Sequence, residues 1–342
     1  MERRAALQTL LACAGALCGG RTLAGDASAR LIRINIPGPH LLPFLPIELI
    51  PLLGFDRALG VHLAIRYMPS GVQALENVIA GDAAFAGIGF SVLPNFSTQG
   101  KPVVALATLS SGTPPYAVLI RNDLTHSIRS IRALKGRSIG IPLGSATTKT
   151  YLQTLMELWL EAYGIGSDEV RWVPTTMNLD GMHGALASGS VDAVFCEEPL
   201  SGTLVRTRVG SVLANLADPR NPARIVGRQH LRAVIASTPE TVAADPVRAE
   251  RMVRMLQRSL AWIRRTSPDQ IVARLGITSP EQAAGIVDAI RRIPDLYSPD
   301  GAFLASEVRS TREFIVASRV RLPAGFSIRH LIDDRWVARS SR

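Results

Sequence analysis

Apolar and polar positions change places in short blocks from residue 31 onward, and the blocks predict strands and helices in alternation. LIRINI (31–36) and VHLAIRYM (61–68) read as strands, the first followed by the Pro/Gly-rich loop PGPHLLPF. ALENVIAG (74–81) reads as a helix closed by Gly81, with the short strand AAFAGIG behind it. VVALATL (103–109), YAVLI (116–120) and RSIGI (137–141) are strands again, and SSGTPP separates the first two. Leu152, Leu155, Met156, Trp159, Leu160 and Tyr163 then recur at i, i+3, i+4, i+7 and i+8, the spacing of one buried helix face. Gly164 stands where a C-cap belongs. VRWV, VDAVF and SVLANL supply later strands. From Pro246 the chain turns mostly helical, with Met252, Met255, Leu256, Leu260 and Ile263 as an ordinary core stripe.

This alternation defines an α/β protein, and one internal echo refines it. ALENVIAGDAAFAGIGFS (74–91) and ALASGSVDAVFCEEP (185–199) share a plan of helix, glycine stop, short strand and polar loop. Two lobes built alike place a ligand crevice between them, because ligands in open α/β sheets sit outside the carboxyl ends of the strands. The length of 342 residues agrees with two domains at ~100–200 residues each.

Composition narrows the classes. Hydrophobic residues at 47% supply a full core, and aromatics at 5% argue against a stacking surface for nucleic acid. The net charge of +10 is carried by arginine, Lys101, Lys135 and Lys149 being the only lysines. The arginines are scattered, with pairs such as Arg264-Arg265 and Arg291-Arg292 as the longest clusters, so solvated helix faces explain them better than a nucleic-acid patch. At the N-terminus Arg3-Arg4 precede an apolar run over 5–20 and the small residues Ala27-Ser28-Ala29, the pattern of a secretory signal over 1–29. Arg3-Arg4 with Leu7 also resembles a twin-arginine signal, and LLAC, ending at Cys13, resembles a lipoprotein box. Removing 1–29 takes away three arginines and two acids and leaves +9. No other segment offers ~18 uninterrupted apolar residues, so the exported chain is expected to be soluble in the periplasm. Cys196 is then its one cysteine, which excludes a disulfide framework and CxxC chemistry.

The chemistry-bearing residues point away from catalysis. The histidines at 40, 62, 126, 183, 230 and 330 have no metal-ligand spacing, so no metal and no cofactor is expected. No G-x-S-x-G elbow occurs, and GIGFS (87–91) lacks the third glycine of a dinucleotide loop. GIPLGSATTKTYLQTL (140–155) resembles a phosphate loop, yet Thr148 and Leu143 occupy the two glycine positions that a Walker motif requires. What survives is a strand delivering the chain to Gly144, with Ser145, Ala146 and Thr147 opening a helix. Such a start is either an N-cap and nothing more, or an anion site made by free N–H groups, the helix dipole and small hydroxyls. Lys149 reads first as a solvated side chain. Glu197-Glu198 follow the strand VDAVF, either as acids beside a helix start or as carboxylates accepting from an N–H group of a ligand. Cys196 reads as a buried filler. His40 sits in the loop after the first strand, and SSGTPP (110–115) lies where the chain leaves lobe one, a place for a hinge.

Taken in order, GVQALENVIAGDAAFAGIG, KPVVALATL, the block YAVLIRNDLTHSIRSIRALKGRSIGIPLGSATTKTYLQTLMELWLEAYGIGSDEVRWVPTT, GALASGSVDAVFCEEP and HLRAVIASTPETVAADPVRAERMVRML resemble one family. They are similar to the substrate-binding proteins of ABC importers in the nitrate/sulfonate/taurine group, relatives of the thiamine-pyrimidine-precursor binders. The resemblance implies a type II periplasmic binding protein, two Rossmann-like α/β lobes with a hinge and a ligand cleft. Lobe one would comprise 30–113 plus 235–342, and lobe two 114–234. It implies a monomeric receptor that captures a small organic anion or zwitterion, such as a sulfonate or taurine, and hands it to a permease and ATPase at the inner membrane. A pyrimidine precursor or other heterocycle is the alternative ligand, and an enzyme on the same fold the alternative activity; a sensor module is not separated from a transport receptor. The ligand-binding residues expected on this plan are His40, Gly89, Ser91, Ser111, Gly144, Ser145, Ala146, Thr147, Thr176, Glu197 and Glu198. Ala84 departs from the family, whose members usually carry Asp before the strand's aromatic residue.

Overall fold

The structure, a computed structural model, describes residues 31–110, 116–216, 218 and 230–337. The expected signal segment and Ser111 lie outside the described residues. Among the described residues ten strands form two five-stranded sheets. Sheet one contains β1 (Leu31–Pro37), β2 (His62–Met68), β3 (Phe85–Gly89), β4 (Val104–Thr108) and β10 (Ala233–Ser237), in the order β2-β1-β3-β10-β4. Sheet two contains β5 (Tyr116–Arg121), β6 (Ser138–Ile141), β7 (Arg171–Pro174), β8 (Ala193–Glu197) and β9 (Gly210–Asn215), in the order β7-β6-β8-β5-β9. The chain crosses between the sheets twice, after β4 and after β9, and it is already back in sheet one at Ala233, paired with Gly89.

Strand direction decides what reaches the space between the lobes. β1, β2 and β3 run parallel, as do β6, β7 and β8, so their carboxyl ends share one rim in each sheet. β5 and β10, entering each lobe from the other, run antiparallel to their neighbours. Their amino ends therefore lie at the same rims. The residues at or just before those ends are Tyr116 and Arg232.

Eleven helices cover the sheets among the described residues: α1 (Leu45–Leu52), α2 (Gly71–Ile79), α3 (Leu93–Thr98), α4 (Tyr151–Ala162), α5 (Leu179–Ala187), α6 (Leu200–Arg206), α7 (Pro239–Ala244), α8 (Pro246–Ile263), α9 (Pro268–Leu275), α10 (Pro280–Arg292) and α11 (Ala305–Ala317). α4 buries Leu152, Leu155, Met156, Trp159 and Leu160, the face its spacing predicts. Trp159 is fully buried and meets Phe195 edge-on at 6.0 Å, a contact whose truncation to alanine costs about 3–5 kcal/mol.

The helix start expected at Ser145 is corrected. Ser145 N–H donates to the Thr148 carbonyl at 2.9 Å, and Gly144 passes so close that a Cβ there would lie 1.8 Å from the same oxygen. The chain thus turns back on itself through 144–148 before any helix begins. Thr150 is the true N-cap: its hydroxyl accepts from Gln153 N–H at 3.0 Å and donates to the Pro142 carbonyl at 2.8 Å.

Candidate ligand cleft

A cavity of about 60 Å³ lies between the rims of the two sheets. Sheet one and its helices contribute Pro37, Phe44, Val72, Ile88, Gly89, Val92 and Arg232; sheet two and its helices contribute Tyr116, Thr150, Tyr151, Leu152, Met177 and Glu197. The N-termini of α2, at Gly71 and Val72, and of α4, at Tyr151 and Leu152, open onto it. Their leading N–H groups have no partner within the helix, and the positive ends of both dipoles face the space.

The walls are apolar and the inner end is charged. Arg232 and Glu197 are 4% and 2% exposed, and Arg232 Nη2 lies 3.6 Å from Glu197 Oε2. The same nitrogen donates to the Tyr116 hydroxyl at 3.1 Å, and the guanidinium sits 5.5 Å from the centre of that ring. Arg232 Nε and Nη1, Glu197 Oε1 and the Tyr151 hydroxyl are buried with no partner among the described residues. An unpaired buried polar group costs about 1–3 kcal/mol, so four in one cavity mark a place kept for something other than stability.

Burial pushes the Glu197 carboxyl up to about 7, with Arg232 and the Tyr116 hydroxyl opposing that rise. Burial acts against the Arg232 cation, yet Tyr116, Tyr151 and Glu197 around it leave its pKa raised, so it stays charged. The Tyr116 phenol is driven well above its ordinary value by burial and then by Glu197. Near neutral pH the inner end of the cleft therefore carries a fixed positive charge beside an acid poised to accept a proton.

The expected site residues separate on this geometry. Gly89 and Glu197 line the cavity. Glu198 turns aside: its carboxylate accepts from Gly202 N–H at 3.2 Å and pairs with Arg292 of α10 at 3.4 Å. His40 faces α1, its N–H donating to Glu48 Oε1 at 2.8 Å and its Nδ1 lying 3.0 Å from Glu48 Oε2. Ser91 is buried in the 3-10 turn Phe90–Val92, whose Val92 reaches the cavity. Gly144, Ser145, Ala146 and Thr147 form the loop ahead of α4, where Thr147 exchanges hydrogen bonds with Gln99 across the lobes. Thr176 is exposed and donates to Asn178, beside the lining residue Met177. Lys149 pairs with Glu157 at 2.6 Å. Arg232, Tyr116, Thr150 and Tyr151 are the polar lining residues that sequence reasoning missed. A signal for the first existed: HLRAVIAS places a lone arginine directly ahead of the apolar run Ala233 to Ala236.

A family described as NMT1/THI5 like matches residues 52–271, and the chain belongs to it. No curated protein sequence matches. Among solved structures, the alkanesulfonate-binding protein SsuA from Xanthomonas axonopodis pv. citri, bound to MOPS, superposes with a TM-score of 0.67 at 18% identity, covering 89% of this chain and 98% of its own. The periplasmic nitrate-binding protein NrtA from Synechocystis PCC 6803 gives 0.63 at 14%, covering 87% and 84%. A cysteine-to-serine mutant of DszB in complex with biphenyl-2-sulfinic acid gives 0.55 at 17%, covering 90% and 97%. The fold is that of the two-lobed periplasmic binding proteins. Among the described residues no helix is long and apolar enough to cross a membrane, and no group of three metal-ligating side chains converges.

Proposed function

We propose that the protein is the extracytoplasmic solute receptor of an ABC importer, and that its solute is a small organic acid bound between the lobes. The observation that carries this reading is Arg232, a buried cation in an apolar cleft with two nitrogens that have no partner among the described residues. A sulfonate or carboxylate supplies the missing acceptors, and charge-assisted hydrogen bonds of this kind are roughly twice as strong as neutral ones. The N–H groups opening α2 and α4 add to the same field. The remainder of the solute packs on Phe44, Val72, Ile88, Leu152 and Met177. Closure of the hinge commits the solute, and a permease and its ATPase take it onward. The receptor acts as a monomer and performs no reaction. Cys196, fully buried with its thiol pushed well above the ordinary range by burial, is no nucleophile.

Glu197 supports a second reading. Its unpartnered Oε1 is an acceptor for an N–H donor, which suits an amino sulfonate such as taurine or a pyrimidine-like heterocycle. A thermal-shift panel of sulfonates, nitrate, amino sulfonates, aromatic acids and thiamine precursors decides between them. The solute stabilises the wild type by ~4 kcal/mol at ~1,000 times its Kd. For an acid anchored by Arg232, Arg232→Met abolishes the shift. If only uncharged heterocycles shift the protein, and Arg232→Met still responds, the anion reading fails.

A further inference from the structure

Sheet order places the outer end of the cleft far from the chain crossings. β2 and β1 form the edge of sheet one opposite β4, while β7 and β6 form the edge of sheet two opposite β9. Gly38, the residue after β1, and Met177, in the loop between β7 and α5, belong to these outer edges. They meet. A Cβ built on Gly38 would lie 2.1 Å from the Met177 carbonyl oxygen, a separation that real Cβ atoms do not reach. Pro37 and Met177 line the same cavity as Arg232 and Glu197, and the sheet orders set Pro37 and Met177 toward the outer edges, away from the crossings beside Arg232.

We propose that the main-chain contact between Gly38 and Met177 is the seal of the closed cleft, and that it caps the length of the solute the cleft admits. Only a residue without a side chain lets the two edges come together. The cap on solute length rests on the receptor reading given above, whereas the seal is a property of the two lobes themselves. Gly38 also takes a left-handed φ of +46°, a second reason for glycine that must be separated from the first. Gly60 separates them, because it has a φ of +70° and nothing within 4 Å of its Cβ position. Alanine at either position bears the left-handed penalty; only at 38 does the methyl group stand between the lobes.

The test reads the distance between lobes by double electron–electron resonance. Spin labels are placed at Val247→Cys and Val212→Cys, both exposed, in full-length chain carrying Cys13→Ser and Cys18→Ser; Cys196 is buried and stays unlabelled. Gly60→Ala leaves the distance distribution of the parent unchanged. Gly38→Ala raises the ratio of open to closed molecules by about tenfold or more. Gly38→Asn, which tolerates the left-handed backbone but keeps a Cβ, does the same. With ethane- to octanesulfonate as probes, the Gly38 variants shift the preferred chain length upward. If the Gly38 and Gly60 variants give the same distribution, the seal is refuted. If no alkanesulfonate binds any variant, the length cap is refuted for this class of acid, the thermal-shift panel still decides the anion reading, and the distances still decide the seal.

Discussion

The acid at the floor of the cleft makes stability depend on pH in an unusual direction. Folding raises the Glu197 carboxyl from the ordinary glutamate range near 4.5 to about 7. Between these values the folded chain holds a proton that the unfolded chain has released. The contribution of Glu197 is therefore complete below pH 4.5, shrinks as pH rises, and is lost once pH passes 7. At 1.36 kcal/mol per unit, a rise of this size corresponds to about 3 kcal/mol. Glu197→Gln cannot ionise, so the difference in unfolding free energy between wild type and Glu197→Gln isolates this side chain from every other titrating group. Urea unfolding followed by circular dichroism at pH 5, 6, 7 and 8 measures it. Relative to the variant, wild type should lose most of the ~3 kcal/mol between pH 5 and 7 and little more beyond. Arg232→Met provides the internal check. The guanidinium is the main influence holding the carboxyl down, so without it the loss should continue above pH 7. A wild type that gains stability over Glu197→Gln as pH rises, or an Arg232→Met chain whose loss ends earlier, would refute a buried, cation-moderated carboxyl.

Three further outcomes follow from local geometry. Thr150→Ala should lower stability by about 1 kcal/mol through loss of the α4 cap, while Ser145→Ala stays within about 0.5 kcal/mol; the reverse order of urea midpoints would restore the earlier helix start. Glu48→Ala should cost about 1–3 kcal/mol by leaving the His40 N–H unpaired, with faster amide exchange over 38–41 as the readout. In the Cys13→Ser, Cys18→Ser chain, Cys196 should resist Ellman's reagent until the protein unfolds, and labelling at the rate of a free thiol would contradict its burial.

Much of the fold was readable because its signals are local. Period-2 and period-3.6 patterns located the strands and α4, and the helix–glycine–strand echo anticipated two lobes. α1 was hidden by its composition: Pro46 falls in its first turn, where proline is tolerated, but Pro51 lies inside the helix, where it forgoes an i→i−4 hydrogen bond, so LPIELIPL folds as a helix against a signal that argues for a break. The misplaced start of α4 has a similar cause, since Ser145 and Thr150 are both good caps and only the return of Ser145 N–H to Thr148 disqualifies the first. Glu197 was visible as an acid at a strand end. What sequence could not distinguish was Glu197 from Glu198, adjacent residues that part because β8 ends at Glu197 and the chain turns at Glu198. Arg232 escaped because its meaning depends on β10 returning antiparallel, a fact of topology rather than of spacing.

That topology has a mechanical consequence. Arg232 and Tyr116 stand beside the two crossings, close to the fulcrum on which the lobes turn, whereas Gly38 and Met177 stand at the ends of the lever arms. A given rotation displaces the anchor least and the outer edges most. On the reading proposed above, recognition of an acid group would be almost independent of how far the jaws have swung, and the far end of the solute would report whether they have met. Residues near the axis can stay fixed while those at the tips change, so, on the proposed reading, a lineage of such receptors could alter the length of its cargo without rebuilding the chemistry that grips it.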